Sequence, residues 1–317
     1  MKRSDLEVSL IVPLRNEETT AAALLESISG QARRPDELVV VDAGSEDRTA
    51  AIVSSFGSPF PVRLVQTEPL FPGSARNAGA EAARNPWLAF TDGGVRLSSG
   101  WLGELLGSAK EAAADVVFGS YDPVCDTFFR RCATVAYVPA PGAQGIRGPS
   151  VASMALTRDA FERAGRFPPF RAAEDLIFLE RLLALPLHVA YAPHAVVHWE
   201  LAPDALRTFR RFALYSDHNL RAGRGRYWHL GVLRHYVLMA LVATAVVLGG
   251  GGAWALATYP FWQIARAGRS AAQKRRAFEF PTLDPRVVLG TAALLCLIDA
   301  ATLAGWILWL RRGRPTA

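Results

Sequence analysis

Apolar residues are spread unevenly along this chain, and the unevenness limits what it can fold into. Residues 1–230 have the mixture of an ordinary globular domain, whereas His235 to Ala265 and Val287 to Leu310 are almost purely apolar. At about 1.5 Å per helical residue, the second run is long enough to cross a hydrocarbon core about 30 Å thick. A length of 317 residues accommodates a globular domain and a membrane region together. The expected organisation is a globular domain over residues 1–230, ending in an interfacial helix over 203–230, and a membrane region over 231–317 with two to three apolar helices.

Charge follows the same division. The formal net charge is +6, but the arginines cluster from Arg207 to Arg234, from Arg266 to Arg276, and at Arg311, Arg312 and Arg314. Those positions flank the apolar runs, where cations meet anionic lipid headgroups. No zinc-finger spacing or RNA-binding aromatic signature accompanies them, so membrane lipids are the expected partner and nucleic acid is not. The three cysteines, Cys125, Cys132 and Cys296, form no CxxC pair, which suits a reducing compartment. The opening MKRSDLEVSLIVPL has a short apolar run broken by Pro13 and reads as no signal peptide. A cytoplasmic globular domain attached to the cell membrane is expected.

Within residues 1–230, strands alternate with helices. Val8–Val12 and Leu38–Val41 are short β-branched runs of the kind buried on both faces of a parallel sheet. Glu17–Ser29 lies between them with Ala22, Leu25 and Ile28 at helical spacing. A helix at Arg48–Phe56, a strand at Val62–Gln66, a helix over 74–84 and a strand at Trp87–Thr91 continue the pattern. Repeated β-α-β units predict an α/β fold, with an open, mostly parallel sheet flanked by helices. Residues 142–149 read as a loop and Ala173–Leu185 as a helix. Asp204–Arg221 reads as an amphipathic helix with Leu206, Phe209, Ala213 and Leu220 on one side, followed by Tyr227 and Trp228 at headgroup level.

Ligands of such sheets bind beyond the carboxyl ends of the strands. Three strand ends there carry polar residues: Pro13-Leu14-Arg15-Asn16-Glu17-Glu18, then Asp42-Ala43-Gly44-Ser45-Glu46-Asp47, then Asp92-Gly93-Gly94. Singly, each has a plain explanation. Asn16 suits a helix cap, and Asp42 or Asp92 before glycine suits a turn. Acids at all three ends of one sheet suggest a site.

Taken in order, VSLIVPLRNEE, ELVVVDAGSEDRT, GSARNAGAEAARNPWLAFTDGG, AAEDLIFLERL and VVHWE resemble the family 2 glycosyltransferases, which have the GT-A fold. The resemblance covers roughly residues 6–222. It implies an inverting transfer of a sugar from a nucleotide-sugar donor to a lipid-linked or membrane-proximal glycan acceptor. By the same resemblance Pro13, Arg15, Glu17 and Asp42 hold the nucleobase and ribose, Arg76 approaches the diphosphate, and Asp92 with Gly93 lies at the donor.

Asp92 falls on the first acid of the family's Asp-x-Asp motif, which binds Mg²⁺ or Mn²⁺. Gly94 stands where the second acid is expected, and His198 falls where the family often has a metal-linked His. Asp92 and His198 are therefore the implied metal ligands. Glu174 and Asp175 match the family's Glu-Asp pair, with Asp175 the expected base and Glu174 the adjacent candidate. A carboxylate in hydrogen-bond reach of the acceptor hydroxyl can take its proton. The missing acid at Gly94 keeps a second class open, a non-catalytic membrane scaffold with the same fold. A dinucleotide-dependent enzyme is disfavoured, since no GxGxxG follows the first strand.

The membrane region allows two topologies. Residues 235–265 form either one span or a hairpin turning at Gly249–Gly252. The hairpin keeps Arg266, Arg269, Lys274, Arg275, Arg276 and Arg286 on the cytoplasmic side, as the positive-inside rule asks. Each arm is then about 13 residues, short of the roughly 20 needed to cross. Asp299 lies inside the last apolar run and reads as a helix–helix contact.

Overall fold

A computed structural model describes residues 6–312, without the side chains of Tyr227, Trp228, Ala253, Leu256 and Arg312. The expected headgroup contacts of Tyr227 and Trp228 and the cationic roles of Arg312 and Arg314 lie outside what is described. Contacts divide the chain into two compact units, residues 6–122 with 141–200, and residues 123–140 with 201–312.

The first unit is built on an eight-stranded sheet. Its strands are β1 (Val8–Leu14), β2 (Glu37–Asp42), β3 (Val62–Gln66), β4 (Trp87–Phe90), β5 (Val95–Leu97), β6 (Val116–Pro123), β7 (Met154–Thr157) and β8 (Val189–Trp199). They lie in the order β3-β2-β1-β4-β7-β6-β8-β5. β3, β2, β1 and β4 run parallel, as expected. Beyond β4 the pairings of β7 with β4 and β6, and of β5 with β8, are antiparallel, so the whole sheet is mixed.

Side-chain alternation explains why both faces are covered. Leu10, Val12, Leu14, Leu38 and Val40 share a buried cluster with α1 (Ala21–Ser29) and α4 (Trp101–Glu111). Ile11, Val39 and Val41 point the other way, into a cluster with α3 (Pro72–Ala82), α6 (Arg158–Arg163) and α7 (Glu174–Leu183). A short α2 (Thr49–Ser54) joins β2 to β3. Pro13 sits inside β1 opposite Val41, two residues beyond the last β4 pair at Ile11 and Phe90. Its missing N–H therefore falls where β4 has ended, so no ladder bond is lost. α1 begins at Ala21 rather than Glu17, and a turn in which Thr20 and Ala21 donate to the Glu17 carbonyl leads into it.

The second unit is helical: α5 (Phe128–Tyr137), α8 (Ala205–Arg221), α9 (Gly225–Leu248), α10 (Ala255–Lys274) and α11 (Pro285–Arg312). The segments His229–Leu248 and Pro285–Arg311 are long and apolar enough to cross a bilayer. α9 and α10 are joined through Gly249–Gly252, where Gly250 adopts φ +83°. The bend is the one expected of a hairpin, but its arms are 24 and 20 residues long. They exceed the apolar runs because both helices continue into the flanking basic residues.

α8 groups with this unit rather than with the sheet, unlike the boundary at residue 230 read from the sequence. Phe212 and Ala213 of α8 are buried with Ala301 of α11, and Phe209 packs beside them. Much of the stripe expected to lie on a membrane surface is thus turned against a neighbouring helix, while Leu206 stays exposed. Asp299 is buried and accepts from Tyr236 of α9 and from Gln263 and Arg266 of α10. It is the helix–helix contact expected of it.

Candidate active site

The carboxyl ends of β1 and β2 are laced together. Asn16 takes φ +55°, a left-handed conformation that asparagine tolerates better than most residues. In that posture its N–H donates to Ser45 Oγ at 2.9 Å, and its Oδ1 accepts from the Glu46 N–H at 2.9 Å. The Glu17 N–H donates to Thr49 Oγ1, and the Glu18 N–H to Asp47 Oδ2. Asn16 is therefore a clasp between two loops, not the helix cap its type suggested. Asp42 ends β2 with its carboxylate buried and accepting from the Ser45 N–H at 3.1 Å. Arg15, between Leu14 of β1 and Asn16, is exposed.

Glu17 reaches from this lacing to the strand end after β4. A Cβ built on Gly93 would lie 3.1 Å from the Glu17 carboxyl carbon, and one on Gly94 would lie 3.7 Å from Glu17 Oε2. Gly94 takes φ +70°, where side chains are disfavoured. The position of the missing acid is thus a tight backbone turn against the Glu17 carboxylate.

Arg76 organises the centre. It lies on α3, whose Gly79 seats the helix directly against Ile11 of β1. Its guanidinium is buried, 2.5 Å from Asp92 Oδ1 and 3.4 Å from Glu174 Oε1. The Phe167 ring lies beneath it, 5.3 Å from Cζ to centroid. Phe167 itself stacks on Phe178 of α7 at 4.1 Å. Two carboxylates from distant segments are thereby fixed on one planar cation, which presents donors in a rigid fork. Arg76 Nε and Glu174 Oε2 are buried with no hydrogen-bond partner.

Glu174 and Asp175 open α7 but differ in environment. Glu174 is 5% exposed and faces Arg76. Burial pushes its carboxyl up to about 7, against the opposing pull of Arg76 and with the Asp175 charge adding to the rise. Asp175 is half-buried and accepts from the Leu176 N–H. Of the pair, Asp175 is the one open to a second molecule. Ala173 immediately before them holds φ +89°.

Asp92 suits a cation ligand: its side chain is 35% exposed, and Arg76 engages one of its oxygens. His198 lies exposed on β8 with Arg96 of β5 as its cross-strand neighbour. No bond or ion pair joins His198 to Asp92, and no group of three His, Cys, Asp or Glu suited to a metal occurs among the described residues. The chain on its own thus offers a cation Asp92 and, separately, His198.

Residues 9–139 match the family model for glycosyl transferase family 2. They are a family 2 glycosyltransferase domain. The match takes in the Asn16 lacing, Asp42, Arg76 and Asp92, whereas Glu174, Asp175 and His198 lie beyond it. The validoxylamine A glucosyltransferase of Streptomyces hygroscopicus subsp. limoneus is 35% identical over 124 residues, 37% of this chain and 27% of that protein. The succinoglycan biosynthesis protein ExoO of Rhizobium meliloti (strain 1021) is 34% identical over 119 residues, 37% of this chain and 34% of that protein. The matched segment therefore spans about a third or less of these relatives. Among solved structures, S. aureus TarS 1-349 in complex with UDP-GlcNAc aligns with a TM-score of 0.50 at 16% identity. The alignment covers 98% of this chain and 93% of that one. The eight-stranded sheet and its flanking helices have the GT-A fold.

Several residues that shape the site were not singled out from the sequence. Asn77 binds the Phe167 backbone twice, donating from Nδ2 to its carbonyl and accepting its N–H at Oδ1. A Cβ on Gly73 would come within 2.8 Å of Glu174 Cγ, so only glycine lets α3 and α7 approach there. Their signal was adjacency to Arg76 in the stretch Gly73-Ser74-Ala75-Arg76-Asn77, which marked the segment without assigning the neighbours.

Proposed function

We propose that the protein is an inverting glycosyltransferase that moves a sugar from a nucleoside-diphosphate donor to a lipid-linked or membrane-proximal glycan acceptor. The observation that carries this is the Arg76–Asp92–Glu174 cluster beside Asp175, at the carboxyl edge of parallel strands in a family 2 domain. Pro13, Arg15, Glu17 and Asp42 line the first two strand ends and would hold the nucleoside, carboxylates accepting from base N–H or ribose hydroxyl groups. Gly93 permits close approach of the donor. Arg76 keeps the Asp92 carboxylate in place toward the diphosphate. Asp175 takes the acceptor hydroxyl proton as that oxygen attacks the anomeric carbon from the face opposite the diphosphate. The bond to the diphosphate oxygen breaks, and its electron pair leaves with the nucleoside diphosphate.

A Mg²⁺ or Mn²⁺ ion, when bound, supplies Lewis acidity at the leaving diphosphate. Asp92 would hold it, with His198 the expected nitrogen donor and diphosphate oxygens and water completing the shell. The two long apolar helices support attachment to the cell membrane, and the basic residues flanking them support a cytoplasmic catalytic domain. The similarity to a protein of succinoglycan biosynthesis supports a cell-envelope or extracellular polysaccharide product.

A donor screen read by thermal shift, with Mg²⁺ or Mn²⁺ present, tests the assignment. UDP-GlcNAc, the ligand of the TarS complex, and nucleotide-linked glucose come first. With the donor found, Asp175→Asn should lower turnover about 10²-fold or more at unchanged donor affinity. A panel in which no nucleotide-sugar shifts the melting temperature would favour the scaffold reading.

A further inference from the structure

The helical unit contains a cavity of about 650 Å³ between α9, α10 and α11. Arg234 and His235 of α9 and Arg266 and Arg269 of α10 line it. The hairpin brings them together: Arg234 lies 15 residues before Gly249, and Arg269 lies 17 after Gly252, so both stand at the same end. Arg266 is balanced by Asp299 at 2.5 Å. Arg234 and Arg269 are in no ion pair among the described residues, which leaves two guanidinium groups of the cavity lining without a carboxylate partner.

One helical turn nearer the bend, the lining changes character. Leu238 follows Arg234 by four residues and Trp262 precedes Arg266 by four, which sets each apolar residue about 6 Å deeper on the same face. Along α10 the lining thus passes from Trp262 and Ala265 through Arg266 and Arg269 to Ser270 and Gln273, with the guanidinium groups between an apolar and a polar stretch. Nearer the bend, Leu241, Val242, Val247 and Leu248 of α9 are exposed.

We propose that this cavity binds the phosphate headgroup of a phosphomonoester lipid, with the first segment of its hydrocarbon chain against Leu238 and Trp262. Arg234 and Arg269 grip the phosphate oxygens, since guanidinium groups pair with phosphate in bidentate fashion. Free phosphate has the same headgroup chemistry but leaves the apolar stretch unfilled, so the hydrocarbon chain decides between the two. Binding here requires no sugar transfer, and its outcome is separate from that of the donor screen.

The test uses the full chain in neutral detergent, titrated with dioctanoyl phosphatidic acid, dioctanoyl phosphatidylcholine or inorganic phosphate, with binding read by thermal shift. Phosphatidic acid should bind at least tenfold tighter than either comparison ligand. The double variant Arg234→Gln, Arg269→Gln should lose at least tenfold in that affinity. The double variant Arg275→Gln, Arg276→Gln removes the same charge from exposed positions away from the cavity and should stay within twofold of the parent. If the first double variant does not fold, Arg269→Gln alone should still lose about fivefold. Three results overturn the proposal: inorganic phosphate binding as tightly as phosphatidic acid, equal losses in the two double variants, or no selectivity for phosphatidic acid over phosphatidylcholine.

Discussion

Ala173 holds a left-handed backbone directly before the Glu174–Asp175 pair, a posture costing a non-glycine residue on the order of 1 kcal/mol. Ala173→Gly should therefore raise the melting temperature by about 2–4 °C, while turnover falls because the pair is less firmly aimed. Calorimetry with steady-state kinetics checks both, and a variant no more stable than the parent would remove the strain. Glu174 gives a second expectation, with its sign set by the upward shift. A carboxyl at about 7 in the fold, against an ordinary 4.5, binds its proton more tightly when folded. Its contribution is complete below pH 4.5 and is lost as pH rises through 7, on the order of 3 kcal/mol. Glu174→Gln should flatten the fall in melting temperature between pH 5 and pH 8; an unchanged slope would mean that another group is responsible. At Gly94, Asp would need φ +70° and would set a second carboxylate near Glu17. Gly94→Asp should cost about 1 kcal/mol or more and should not tighten Mn²⁺ binding in a metal titration. Tighter binding would instead identify Gly94 as a gap in the metal shell.

At the level of elements, the site depends on how closely α3 approaches α7. Gly73→Ala places a methyl group within contact of Glu174 Cγ and Phe167 Cβ, so α7 must move outward. The Arg76–Glu174 pair, already 3.4 Å long, should open, with donor affinity falling less than turnover; loss of donor binding alone would assign Gly73 to the nucleotide pocket. These elements were not equally legible in the sequence. β1 and β2 were readable because continuous β-branched runs belong to strands covered on both faces, and β3 and β4 because they continue the alternation of strand and helix. β6 and β8 were not: Gly119 and Ser120 interrupt one, Pro193 and His194 the other, and neither keeps a clean alternation. Their antiparallel pairing had no local signal either, since it is set by partners far along the chain. The strand-end acids and the Glu174–Asp175 pair were visible as residues. What remained hidden was Arg76 as their common partner, because a bond across 98 positions leaves no mark in local spacing.

For the whole molecule, the division of the chain decides how the sheet unit can be isolated. A cut at residue 230 follows the change in hydropathy but leaves behind α5 and α8, which belong to the helical unit. In α5, Cys132 and Val135 are buried, with Val135 clustered against Ala271 of α10 and Val287 of α11. Ser270 Oγ and Lys274 Nζ also donate to the Val135 carbonyl, each at 2.6 Å. Removing residues 231–317 would expose that face together with the α11-facing side of α8, and such a fragment should aggregate. The chain leaves the sheet unit at Asp122 and re-enters it at Pro141. Arg147 bonds Asp122 at 2.8 Å, and the Gly142 N–H donates to the Ile146 carbonyl at 2.8 Å, so the two crossing points are near each other. A linker of about six glycine and serine residues reaches up to roughly 20 Å, enough to join them. A chain ending at Glu200, with 123–140 replaced by that linker, should be monodisperse and should keep the nucleotide-sugar thermal shift of the parent. Size-exclusion chromatography and the donor titration measure the two properties. A monodisperse fragment from the simple cut at 230 would show that α5 and α8 do not need the C-terminal helices, and a linked domain that folds without binding donor would place part of the nucleotide site in the helical unit.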